Sequence, residues 1–158
     1  MSNLERELEK NGIFVTRTAG DSMKPMLYDG CKVIIAPPVF PLKKYDIPVY
    51  RRDGHYVMHR IMRVTKNGYI ICGDNRINLE KDVTDKDIVG VLYAFYHGGR
   101  FTLCTDKKYV KYSKKICRNF IFRKIKRLFH NLPLYFFNKN LRTNKKVCGK
   151  ATHRKTHG

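Results

Sequence analysis

Beyond Asp106 the chain has no acidic residue. Residues 107–158 carry 17 Lys or Arg with nothing to balance them, whereas residues 1–106 carry 16 basic and 13 acidic side chains. Blocks of one charge repel themselves and mark solvated or interacting segments. The break therefore divides an ordinary domain, residues 1–106, from a basic appendage, residues 107–158. Long apolar runs are missing too. No window approaches the ~20 apolar residues of a membrane span, and Leu132 to Phe137 falls far short, so no transmembrane segment is expected. Met1 to Lys10 is polar and acidic, which is the wrong pattern for a signal peptide. Cysteines at metal or redox spacing are also absent. Cys31, Cys72, Cys104, Cys117 and Cys148 are odd in number and form no C-x-x-C pair. They read as free thiols of a reducing compartment, giving a cytoplasmic expectation, rather than as a disulfide framework or zinc site.

What is present is a series of short strands punctuated by turns. Ser2 and Glu5 have capping-box spacing, so residues 3–10 should be a helix ended by Asn11-Gly12. Strands are expected at Ile13–Arg17 and Lys32–Ala36, and within Tyr45–Arg52, where Pro48 restricts the strand to an edge or to its own first residues. Arg52-Asp53-Gly54 and Lys66-Asn67-Gly68 are hairpin turns, enclosing one long strand from His55 to Thr65. Val89–Tyr96 and Phe101–Cys104 close a last hairpin. The fold class is mainly β: a compact, coiled antiparallel sheet with a short N-terminal helix and a basic helical C-terminal tail.

Three separated segments carry residues able to do acyl-transfer chemistry. In Gly20-Asp21-Ser22-Met23-Lys24-Pro25, a turn of small residues presents the Ser22 hydroxyl, and its backbone amides are placed to line an oxyanion hole. An exposed Met23 beside Pro25 has no structural purpose unless the segment lies along a substrate. His59 supplies an imidazole on a strand, and Arg60 on the opposite face is free to pair with an acid there. Asp74, in Gly73-Asp74-Asn75, offers a carboxylate to orient the imidazole.

Together these segments resemble the superfamily of signal peptidase I and LexA-type self-cleaving repressors. The resemblance spans residues 12–96. It implies Ser22 as nucleophile, His59 as base and Asp74 as third member, with Glu80 as the alternative holder of His59 and Glu80 or Asp82 as counterparts of the branch's further acid. Met58-His59-Arg60-Ile61 is similar to the histidine-bearing archaeal and endoplasmic-reticulum branch, whereas bacterial relatives use lysine. The family's Gly-Asp pairs are here Gly30-Cys31 and Tyr45-Asp46, and the branch's N-terminal anchor has no counterpart. The resemblance further implies a substrate bound as an added strand along Met23 and Pro25, small side chains before the cut, and neither metal nor organic cofactor. The function so implied is a serine endopeptidase that removes a leader or signal-like segment. A non-catalytic peptide-binding module and a self-cleaving LexA-like regulator are the alternatives.

The tail reads as helical from about Lys108 to Asn131. Tyr109, Tyr112, Ile116 and Phe120 form one apolar stripe, and Ile121, Ile125, Leu128 and Leu132 form a second, rotated one. Aromatics interleaved with cations across residues 107–137 suit contact with an anionic membrane surface, and nucleic acid ranks below it. From Asn138 onward the composition is that of a disordered chain.

Overall fold

A computed structural model describes residues 2–130, with side chains through Lys126. Its first compact unit ends at Arg123, and its second is Lys124–Gly158, of which residues 124–130 are described, as helix. The expected disordered stretch from Asn138, Leu132 of the second stripe and Cys148 lie outside the described residues.

Helix α1 is Asn3–Asn11. Ser2 caps it with the expected reciprocal Ser2–Glu5 bonds, and Gly12 ends it in the left-handed conformation at φ 69°. Strands β1 (Phe14–Arg17), β2 (Lys32–Ala36), β3 (Pro48–Arg52), β4 (His55–Met58), β8 (Ile88–His97) and β9 (Arg100–Leu103) form one antiparallel sheet. Its order is β1-β2-β8-β3-β4, with β9 paired to the far end of β8. Pro48 is the first residue of β3, as a residue without a backbone N–H should be, although β3 lies inside the sheet rather than at its edge. Strands β5 (Arg60–Thr65), β6 (Gly68–Cys72) and β7 (Glu80–Val83) form a second antiparallel sheet. The Asp53-Gly54 and Gly98-Gly99 turns have φ of 50°, 77°, 55° and 76°, the positive pair that two-residue hairpins need.

The single strand expected over His55–Thr65 is two strands. β4 pairs with β3 in the first sheet and β5 with β6 in the second, and His59 stands alone at the junction. Apolar residues continue on both sides of the break, so composition does not reveal it.

The core has three clusters. Met23, Met26, Leu27, Val33, Ile47, Leu92, Phe95 and Tyr109 form the first. Tyr50, Ile61, Tyr69 and Ile71 anchor the second, between the sheets. Leu4 and Leu8 of α1 pack on Ile35 and Val49 in the third. Tyr109 belongs to helix α2 (Lys107–Arg118), which Asn119 separates from α3 (Phe120–His130). The continuous helix expected from Lys108 to Asn131 is therefore broken where its apolar face rotates. The folded unit also runs past the compositional boundary at Asp106, because Tyr109 and Ser113 of α2 are buried, at 7% and 0% exposure. The first apolar stripe faces the protein's own interior, and its basic residues occupy the other side of the helix. Four cysteines, Cys31, Cys72, Cys104 and Cys117, are free thiols. Among the described residues no helix is long and apolar enough to cross a membrane.

Candidate active site

Ser22 sits in a closed loop between β1 and β2. The loop is cinched by Thr18 and Cys31 (backbone N–O 2.9 Å), by Gly30 to Thr18 (2.8 Å) and by the Gly20 amide donating to Asp29 Oδ1 (2.8 Å). Gly20 takes φ 86°, a conformation that a side chain resists. One helical turn follows, with Leu27 N donating to Met23 O at 3.0 Å, and it drives Met23, Met26 and Leu27 into the core. Met23 is thus not the exposed residue expected. It is 4% exposed, because the loop is held down by its apolar side chains, although it still lines the cleft described below. Pro25 is exposed and does not line that cleft.

The Gly73–Arg76 turn is strapped to this loop. The Asn75 amide donates to Ser22 O at 2.7 Å, Asn75 Nδ2 donates to Asp21 O at 3.2 Å, and Arg76 forms an ion pair with Asp21. Gly73 lies where no side chain fits. A Cβ there would stand 2.7 Å from the Ser22 carbonyl oxygen and 3.1 Å from His59 Cδ2. The Ser22 loop and the His59 ring therefore meet across one glycine.

His59 is held by its other ring edge. Nδ1 is 2.6 Å from Glu80 Oε1 and 3.2 Å from the Tyr50 hydroxyl, and Tyr50 donates to Glu80 Oε2 at 2.6 Å. Arg52 pairs with the same Oε2. Burial by itself would raise the Glu80 carboxyl, but bonds from His59, Tyr50 and Arg52 outweigh it and hold the group at about 2, so it is anionic at neutral pH. With Nδ1 on a carboxylate, Nε2 is the nitrogen left to exchange a proton. Among the described residues no direct hydrogen bond joins Ser22 Oγ to His59.

Asp74, expected to orient His59, makes other contacts. Its Oδ1 and Oδ2 accept from Arg60 Nε and Nη2, both at 2.8 Å, and Oδ2 also accepts from Tyr112 at 3.1 Å. The pair is wholly buried, and such a charge persists only when its donors are met. Arg60 Nη1 donates to Ser113 Oγ (2.7 Å), Tyr109 (3.1 Å) and the Tyr45 carbonyl (3.2 Å), completing the fork. The expectation that Arg60 meets an acid on the opposite face is thus realised, and the acid is Asp74. The two-residue unit His59-Arg60 is locked through Asp74 to the turn that holds Ser22. Cys72, adjacent to this turn, is pushed up to about 11 by burial and stays a thiol at neutral pH.

A family model, Peptidase S24-like, matches residues 3–93. The chain belongs to the Peptidase S24-like family. The match covers more than half of the chain and contains Ser22, His59, Asp74 and Glu80, so this S24-like chain falls within the LexA and signal peptidase-like serine peptidase superfamily. No curated protein matches it. Sequence reasoning missed Tyr50 and Arg52. Their spacing of two along a strand, which puts both on one face, was the available signal. It read Tyr109 and Tyr112 only as part of an apolar stripe and passed over Ser113, and all three lie beyond the family match.

A cleft of about 570 Å³ opens beside Ser22. Phe14, Thr16 and Arg17 of β1, the loop residues Thr18, Ala19, Gly20, Ser22 and Met23, Tyr56, Val57 and Met58 of β4 and the start of α1 surround it.

Proposed function

We propose that the chain is a serine endopeptidase that removes a leader or signal-like segment from a peptide or protein. Ser22 is its nucleophile, His59 its base and Glu80 the carboxylate that orients His59. The observation that carries this reading is the placement of His59. One ring edge is bonded to an anionic carboxylate at 2.6 Å, and the other lies against the glycine that touches the Ser22 loop.

In this mechanism His59 Nε2 takes the Ser22 Oγ proton as Oγ attacks the scissile carbonyl. Amides of the Ser22 turn bind the developing oxyanion. The tetrahedral species collapses as His59 returns the proton to the leaving amine. Water, activated by the same nitrogen, then hydrolyses the Ser22 ester. Glu80 fixes the tautomer and stays ionised throughout. The structural role of Asp74 supports moving the third position to Glu80. No residue of the reaction calls for a metal or organic cofactor. A reducing, cytoplasmic setting fits the free thiols. For the basic segment, the anionic-surface reading keeps support only past α2, where Ile121 and Phe122 are 66% and 72% exposed between Arg118 and Arg123.

The test is a peptide library and the full-length chain as its own substrate, followed by mass spectrometry with wild type, Ser22→Ala, His59→Ala and Glu80→Gln. Cleavage should vanish in the first two and fall about 10²–10⁴-fold in the third, the range spanned by loss of an orienting acid. Cleavage that persists in Ser22→Ala sinks the mechanism. A wild type that cuts neither peptide nor itself supports a binding module instead.

A further inference from the structure

The cleft beside Ser22 is deeper than a small side chain needs. Leu27, Val33 and Val49, which are 1%, 1% and 3% exposed, form its floor, so it reaches the layer of the core itself. Its volume of about 570 Å³ lies within the range of pockets that enclose whole organic ligands. Among the described residues lining it, Arg17 is the one charged side chain, and it sits at the rim with its guanidinium on the Gly30 carbonyl. An alanine methyl placed here would leave most of the apolar wall unmatched. A leucine or phenylalanine side chain would be moved from water onto that wall, which favours binding in proportion to the apolar surface covered.

The strands around the cleft say what form the ligand takes. β1 and β4 are the two ends of the sheet path, and each has a ladder partner on one side only. Both line the cleft. An extended backbone completes such an edge, and every second side chain then points to the same face.

We infer that, granted the peptidase reading above, the substrate is an extended segment that inserts a large aliphatic or aromatic side chain into the cleft floored by Leu27, Val33 and Val49. This departs from the small residues implied by resemblance. The selecting surface is the apolar floor, and the end strands set the register that delivers the side chain to it.

The probe is a set of peptides about nine residues long in a serine–glycine background. Each carries one Ala, Leu or Phe, moved through every position. Binding to full-length Ser22→Ala protein is read by fluorescence anisotropy, and turnover by wild type is read separately. In one register, Leu or Phe should bind at least tenfold more tightly than Ala, the scale of a few methylenes in an apolar pocket, and kcat/KM should rise in that same register. Leu and Phe binding no better than Ala at every position overturns the inference, whether or not wild type cuts the peptides. Selective binding with no cut by wild type fails the peptidase reading and leaves the selectivity in place. Thr16→Trp, on the β1 face that enters the cleft, should lower the Leu-to-Ala binding ratio at least fivefold. An unchanged ratio in a variant of native circular dichroism assigns selection to another surface and overturns the inference.

Discussion

Gly73 is the residue on which the candidate site is most tightly closed. A methyl group there meets backbone on one side, the Ser22 carbonyl at 2.7 Å, and the His59 ring at 3.1 Å on the other. Backbone cannot swing aside as a flexible side chain can, so Gly73→Ala must part the loop from the imidazole. Misplacement on the scale of an ångström costs about 10²-fold in rate. Gly73→Ala is expected to lower kcat by about that factor while KM changes little and circular dichroism stays native. Wild-type turnover in this variant would show that the approach has no catalytic consequence. Ser22 and His59 stood out in sequence because each sits in a short motif with its own local turn or strand. The carboxylate that bonds His59 did not stand out from its neighbour. Asp74 and Glu80 are both plausible by order along the chain, and what separates them is which side of the Arg60 strand each faces. That is a pairing property of two sheets rather than of any one segment.

At the level of elements, turns were legible and burial was not. The Asp53-Gly54 pair dictates its hairpin through backbone conformation alone, and the capping box starts α1 through two local bonds. The division of His55–Thr65 between two sheets has no turn residue to announce it, since neither Gly nor Pro stands between Met58 and Arg60. Helix α2 shows the same limit. Its apolar stripe is plain, but the stripe does not say whether protein or solvent covers it. The Arg60 fork answers that question, because three of its hydroxyl contacts, Tyr109 and Ser113 on the guanidinium and Tyr112 on its Asp74 partner, come from α2. A chain ending at Asp106 leaves a buried guanidinium short of partners and removes a core tyrosine. The combined loss is on the order of 5 kcal/mol, comparable with the whole stability of a small domain. Such a chain should lack a cooperative thermal transition. Tyr112→Phe, which deletes one hydroxyl, should cost only about 1 kcal/mol in denaturant titration.

For the molecule as a whole, fold class followed from strand count and turn spacing, while the domain boundary did not follow from charge. The compact unit ends at Arg123, 17 residues past the last acid, because the six cations of α2, from Lys107 to Arg118, sit on the outer side of a helix whose inner side is core. Ten of the 33 basic residues and none of the acids lie beyond Arg123, so a chain ending there carries a formal charge of +10 instead of +20. We expect that shorter chain to keep the thermal transition and the peptide turnover of the full chain, and to elute from a cation exchanger at lower salt. A lost transition would place residues beyond Arg123 within the cooperative fold.

The reliance of Arg60 on α2 also sets an order in time. A ribosome making this chain completes Ser22, His59, Asp74 and Glu80 well before Tyr109, Tyr112 and Ser113. Until those three are made, the guanidinium lacks much of its hydrogen-bonding shell and the turn at Gly73 lacks its final brace. The nascent protein thus carries Ser22, His59, Asp74 and Glu80 through the 33 residues from Glu80 to Ser113 without the helix that braces them, and the finished arrangement dates from the emergence of α2.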